Sequence, residues 1–251
     1  MSKMAKPLEI MGCPCLSFAD ENSVKAYLKG VVQSGSGGYT VAINAEKLMR
    51  RRSDSELDAV IRNAALPVAD GAGAVLALKW LHGRSSLKVD MPKCTFEAAD
   101  ENGWRVFVLG SAEPVNAAAT EKIAHIYPGI NIVGRLNGYA DYDGVLSALK
   151  AAKPQIVFLA LGSPKQELLA GKLSKVLKGI VFVGCGGALD ILAGKVSRAP
   201  KFFIENNLEW AYRLYKQPSR WRRQLVLPVF FSHLVSETFA MRLRRLIRTS
   251  S

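Results

Sequence analysis

Three kinds of residue in this chain have both the type and the placement for chemistry. The first is a carboxylate. Asp70 ends the apolar run Ala65 to Ala69 and precedes Gly71. At the ligand-facing end of a buried strand, an aspartate can take a proton from a hydroxyl group. The same position suits a helix N-cap, and the two roles are compatible. The second kind is a pair of glycine turns, Leu109-Gly-Ser-Ala-Glu-Pro114 and Leu161-Gly-Ser-Pro-Lys-Gln166. Each stands between an apolar run and a helical stretch, where unpaired N–H groups can hold a phosphate. Neither is a dinucleotide or Walker loop, and a tight turn without a ligand reads the same way. The third kind is a set of guanidinium groups, Arg213, Arg220 and Arg223, spaced by seven and three residues. On one helix that spacing shares a face, and guanidinium forks bind diphosphate oxygens bidentately. Asp190 follows the turn Gly184-Cys-Gly-Gly187 and fits either a ligand contact or a favourable place in a helix dipole.

Other chemistries find little support. His82, His125 and His233 are scattered, without metal-ligand spacing. Cys13-Pro-Cys15 has neither zinc nor redox spacing, and Cys94 and Cys185 stand alone. Ser111 and Ser163 lack a nucleophile elbow. The expectation is no metal, no cofactor and four reduced cysteines that pack.

The elements that must position these groups alternate. Apolar, β-rich runs occur at 39–44, 65–69, 105–109, 131–134, 155–161 and 179–183. Helical stretches occur at 46–52, 72–81, 114–126, 143–152 and 165–177. Strand, glycine turn and helix in repetition predict an α/β fold, a Rossmann-like parallel sheet flanked by helices. Near-continuous apolar strands imply burial on both faces. Ligands of such sheets bind at the carboxyl ends of the strands. That rule singles out Asn44, Asp70, Gly110, Gly162 and the turn at 184–187.

The pattern changes after Gly194. Pro200, Pro218 and Pro228 punctuate what reads as short helices, and arginines become dense. The chain carries a formal charge of +13 over 251 residues, with 49% hydrophobic and 22% charged residues. From Lys195 onward there are twelve Lys and Arg against three acidic residues, so a near-neutral body carries a basic tail. The expected division is a core over 1–194 and a basic helical appendage over 195–251. Such a tail suits nucleic acid, anionic lipid or phosphorylated small molecules. Apolar residues interleaved with the arginines, as in Leu225 to Phe231 and Met241 to Arg248, favour a membrane surface over nucleic acid. No stretch reaches the ~20 apolar residues of a spanning helix, and no secretory signal is visible.

Several blocks, in order, resemble the WecG/TagA/CpsF glycosyltransferase family. They are Ala69-Asp-Gly-Ala-Gly73, Phe107-Val-Leu-Gly110, Asn137-Gly-Tyr139, Gly162-Ser-Pro-Lys-Gln-Glu167, Asp190-Ile-Leu-Ala-Gly194 with Arg198-Ala-Pro200, and Leu208-Glu-Trp210 with Arg213, Pro218 and Arg220. The resemblance spans roughly 39–224. It implies a GT-E-like fold and an inverting, metal-independent transferase. The implied donor is a UDP-sugar and the implied acceptor a polyprenyl-diphosphate-linked sugar, at the cytoplasmic face of the inner membrane. By position it makes Asp70 the general base and Asn44 a substrate contact. Tyr139 and Asp190 would bind the uridine end, and Gln166 would line the pocket. Arg213, Arg220 and Arg223 would reach the diphosphates from a tail that also binds the membrane. Two departures stand out. Ala42-Ile-Asn44 replaces the family's Thr-x-Asn, and Lys88 stands where an arginine is usual; both fall where a sugar would be read. A homo-oligomer is left open. The rivals are a UDP-binding regulatory module without catalysis and a nucleic-acid-binding protein.

Overall fold

A computed structural model describes residues 7–197, 199–205, 209–216, 218, 221 and 225–249. Six parallel strands form the central sheet: β3 (Gly38–Ile43), β4 (Leu66–Ala69), β5 (Arg105–Gly110), β6 (Asn131–Leu136), β7 (Ile156–Ala160) and β8 (Val181–Gly184). Their order across the sheet is β4-β3-β8-β7-β5-β6. Before them, β1 (Leu8–Ile10) and β2 (Cys13–Cys15) make a small antiparallel hairpin. Just past it, Leu16 bridges Val68 and shields the outer edge of β4. An exposed edge would otherwise invite pairing with another chain.

Side chains alternate between two cores because successive strand residues point to opposite faces. Phe107, Leu109, Val157, Leu159 and Phe182 face one way, toward the helices α2 (Ala45–Arg50), α3 (Ser55–Arg62), α4 (Ala72–His82), α7 (Tyr142–Ala152) and α8 (Lys165–Val176). Val106, Val108, Ile156, Phe158 and Val183 face the other, toward α1 (Glu21–Gln33), α5 (Met91–Asn102), α6 (Glu113–Ile126) and α9 (Ala188–Leu192). The helices after β5 and β7 therefore leave toward opposite faces. This opens a crevice between Gly110-Ser111 and Gly162-Ser163, the kind of place where parallel sheets take ligands.

All four cysteines are buried and free. Burial pushes the thiols of Cys15, Cys94 and Cys185 up to about 12 and that of Cys13 up to about 11. None is poised as a thiolate near neutral pH.

In the basic tail, α10 (Lys201–Glu205) and α11 (Glu209–Lys216) are short, as the prolines imply. The last helix, α12 (Val226–Thr249), corrects the expectation of short pieces: it runs 24 residues. Pro228 does not break it because it sits in the first turn, where the missing N–H would have no acceptor within the helix. Phe230 and Leu234 are fully buried in the first core, against α2 and α4. At roughly 1.5–3 kcal/mol per side chain, these two residues anchor the helix to the body. Gly73 makes room for this contact, since a Cβ there would lie 3.3 Å from the Phe230 ring. No helix among the described residues is long and apolar enough to cross a membrane.

Candidate active site

The carboxyl edge of the sheet collects most of the residues singled out by the sequence. At one end, the Asp70 N–H donates to the Ile43 carbonyl at 2.8 Å. This carries the β3–β4 ladder one step past β4 and sets Asp70 beside Asn44. Asn44 caps α2, its Oδ1 accepting from the Lys47 N–H at 3.0 Å. The amide's other end is thereby turned to Asp70, with Asn44 Nδ2 at 3.5 Å from Asp70 Oδ2. The helix-cap alternative for Asp70 is not what forms. The cap of α4 is Gly71, with φ at 87°, so Asp70 precedes the capping position.

Lys88 lies next to this pair, because the Val89 N–H donates to the Ala69 carbonyl at 3.0 Å. Its ammonium is 3.2 Å from Glu209 Oε2, at the start of α11. The structure thus ties the first turn of the arginine-bearing helix to the loop beside Asp70. Arg213 lies one turn further along α11, and its side chain falls outside the described portion. Arg220 and Arg223 lie outside the described residues, as does Arg198. Their convergence on the cleft therefore stays an expectation of the sequence.

The middle of the edge holds Gln166, only 7% exposed. Its Oε1 accepts from the Gly186 N–H at 3.3 Å, and its Nε2 donates to Glu167 Oε1 at 3.2 Å. The side chain lies across Gly184, where a Cβ would come within 2.5 Å of Nε2. Beneath it, Lys47 Nζ meets Glu167 Oε1 at 2.9 Å, with the two side chains 8% and 2% exposed. Neither Lys47 nor the charge role of Glu167 was legible in the sequence, since charged residues in a helical stretch read as solvated.

The far end is built from glycine turns, tied by buried Asn116, whose Nδ2 donates to the Gly110 and Leu136 carbonyls, and flanked by Glu113, which pairs with Arg135 and accepts from Asn137. Gly110 has φ at 125°, and a Cβ there would run into the Ala160 peptide on β7. The next residue, Ser111, donates from N–H to that Ala160 carbonyl at 2.9 Å and accepts from the Gly138 N–H at 2.7 Å. Gly162, φ 73°, forms the corresponding turn after β7. Tyr139, in the loop after β6, is 82% exposed. Asp190 sits in the first turn of α9, half-buried, with Lys195 Nζ at 3.7 Å. At about 4.8 Å per strand step, the five steps from β4 to β6 separate Asp70 from the Tyr139 loop by roughly 24 Å.

One acidic spacing bears on metal binding. Asp141-Tyr142-Asp143 could hold a divalent ion against a diphosphate. In the structure Asp141 is the N-cap of α7, accepting from the Gly144 N–H at 2.8 Å, and both carboxylates are exposed. Among the described residues no three His, Cys, Asp or Glu side chains converge.

Comparison with known proteins fits this arrangement. The model of the glycosyl transferase WecG/TagA/CpsF family matches residues 8–244. The chain is also 34% identical over 203 residues to the N-acetylglucosaminyldiphosphoundecaprenol N-acetyl-beta-D-mannosaminyltransferase of Bacillus spizizenii, covering 79% of each protein. A match over nearly the whole chain, together with a strand-end carboxylate and a glycine-lined crevice, places this protein in the WecG/TagA/CpsF family of glycosyl transferases.

Proposed function

We propose that this glycosyltransferase moves a hexose from a UDP-sugar to a polyprenyl-diphosphate-linked sugar, in the assembly of a cell-surface glycan or exopolysaccharide. The reaction is a single displacement with inversion at the anomeric carbon. Asp70 takes the proton from the acceptor hydroxyl as its oxygen bonds to the anomeric carbon, and the bond to the UDP β-phosphate oxygen breaks. Asn44 holds the carboxylate in place. The nucleoside lies over the Gly110-Ser111 and Gly162-Ser163 turns, with the uracil toward Tyr139 and Asp190, and the diphosphate points back along the edge toward Asp70. The negative charge that develops on UDP is met by helix N-termini and by Arg213, Arg220 and Arg223, without a metal ion. The observation that carries this reading is the Asp70–Asn44 pair at a sheet edge, with Asp70 outside the helix cap, in a chain so similar to a transferase acting on a lipid-linked acceptor.

The protein works at a membrane surface, as a peripheral protein on the cytoplasmic face. Support comes from α12. Phe230 and Leu234 are buried, while Phe231, Val235 and Phe239, spaced by four, are 37%, 55% and 69% exposed. A docked helix with an apolar outer stripe, leading into Arg242, Arg244, Arg245 and Arg248 in the sequence, has the composition of an interfacial segment.

The test is a donor screen by UDP release, with a polyprenyl-diphosphate-sugar acceptor and with and without EDTA. The expected result is acceptor-dependent release from one UDP-sugar, unaffected by EDTA. UDP binding with no transfer from any donor would overturn the enzymatic reading, and EDTA-sensitive turnover would overturn the metal-free step.

A further inference from the structure

The buried pair Lys47–Glu167 is an odd feature for a protein core. Taking two charges out of water costs several kcal/mol per ion, and apolar residues of similar volume are often as stable or more so. The pair is also imperfectly satisfied. Glu167 Oε1 takes both Lys47 Nζ and the Gln166 amide, while the buried Oε2 has no hydrogen-bond partner among the described residues. An arrangement that gains so little stability calls for another reason.

Its connections supply one. Lys47 Nζ also donates to the Ala42 carbonyl at 3.0 Å, so the lysine pins the first turn of α2 back onto β3. That turn presents the Lys47 N–H to Asn44 Oδ1, which in turn directs Asn44 Nδ2 to Asp70. On the other side, a carboxylate can only accept and the Gly186 N–H can only donate. The Gln166 amide between them therefore has one orientation, NH2 toward Glu167 and carbonyl toward Gly186. One carboxylate thus fixes the attitude of two amides, at the ends of β3 and β8, from a single buried point on α8.

We infer that Glu167, with Lys47, is the positioning couple of this active site: it touches no reacting atom, and it sets the geometry of Asn44–Asp70 and Gln166. The inference rests on the reading of Asp70 as the general base. Misplacement by about 1 Å can cost up to 10²-fold in rate, so loosening this couple should reach the chemistry without unfolding the protein.

The experiment compares wild type, the charge-free double variant Lys47→Met/Glu167→Gln, the conservative Glu167→Asp and Asp70→Asn, each as the full chain. The readouts are Tm, kcat, donor KM and the pH dependence of kcat/KM. The double variant should keep a Tm at or above wild type while kcat falls roughly 10- to 100-fold with little change in KM. The acid limb of its kcat/KM profile should move to higher pH, because Asp70 loses a fixed hydrogen-bond donor. Glu167→Asp should recover part of the lost kcat. A folded double variant with wild-type kcat and pH profile would overturn the inference. So would a double variant that fails to fold, since the couple would then be holding the fold and not the site. Wild-type turnover by Asp70→Asn would instead sink the underlying catalytic reading, which keeps the two failures apart.

Discussion

The two ends of the sheet's carboxyl edge are built differently. Around β3 and β4 the groups are half-buried side chains, and each is held by another: Asp70 by Asn44, Asn44 by the start of α2, and α2 by a buried ion pair. Around β5 and β6 the groups are turns of backbone at Gly110, Ser111 and Gly138 and the surface trio Glu113, Arg135 and Asn137, with one ring, Tyr139, standing out at 82% exposure. The contrast matches two different demands. A proton transfer needs its acceptor fixed within a fraction of an ångström. A nucleotide must enter and leave each cycle, so its end can remain open until it binds. The last helix joins the rigid end, since Phe230 packs against Gly73 in the first turn after Asp70.

Substitutions at each end should therefore fail in different ways. The largest effect belongs to Asp70→Asn. Loss of a general base costs about 10²- to 10⁴-fold in kcat, and steady-state UDP release should show this with donor KM and Tm little changed. A loss confined to KM would erase the distinction between the two ends. Next comes Tyr139→Ala. Stacking of a base on an aromatic ring is worth about 1–3 kcal/mol, so UDP affinity by calorimetry should fall roughly 5- to 150-fold, with no change in Tm because the ring is exposed. Unchanged affinity would move the uridine elsewhere.

The smallest effect concerns how the last helix is held. Glu237 on α12 accepts from the Met11 N–H at 3.1 Å. Burial holds its carboxyl above the usual carboxylate range, opposed by that hydrogen bond and by His82. The folded protein therefore binds this proton more tightly than the unfolded chain. Stability from this group is full below the ordinary carboxylate range and is lost as pH rises through that range to the folded value. Glu237→Gln keeps an acceptor for Met11 and removes the loss. Its Tm should exceed wild type slightly at neutral pH, and the difference should vanish in acid. A Tm below wild type at neutral pH would mean that the ionised carboxylate is what secures α12.

Legibility in the sequence followed the same physical lines. Five of the six parallel strands announce themselves because both faces are buried, so they read as near-continuous apolar runs, while β6, a half-exposed edge strand with Gly134 and Arg135 in it, gives a weaker signal. Asp70 and Asn44 could be picked out because they end such runs. The hairpin at 8–15 could not, since three-residue strands carry almost no periodicity. Helix α12 was hidden by Pro228, whose cost depends on whether it lies in the first turn or further in. Lys47 and Glu167 were hidden for a different reason. They are 120 residues apart, and only the fold turns two ordinary surface residue types into a buried couple.

The division of labour along the edge is tested most directly by a crystal structure with UDP bound. The expected result is the uracil on the β6 side near Tyr139 and Asp190, the ribose by the turns after β5 and β7, and the diphosphate pointing back along the edge toward Asp70. UDP seated against Asp70 and Asn44, with the β5–β6 end empty, would contradict it.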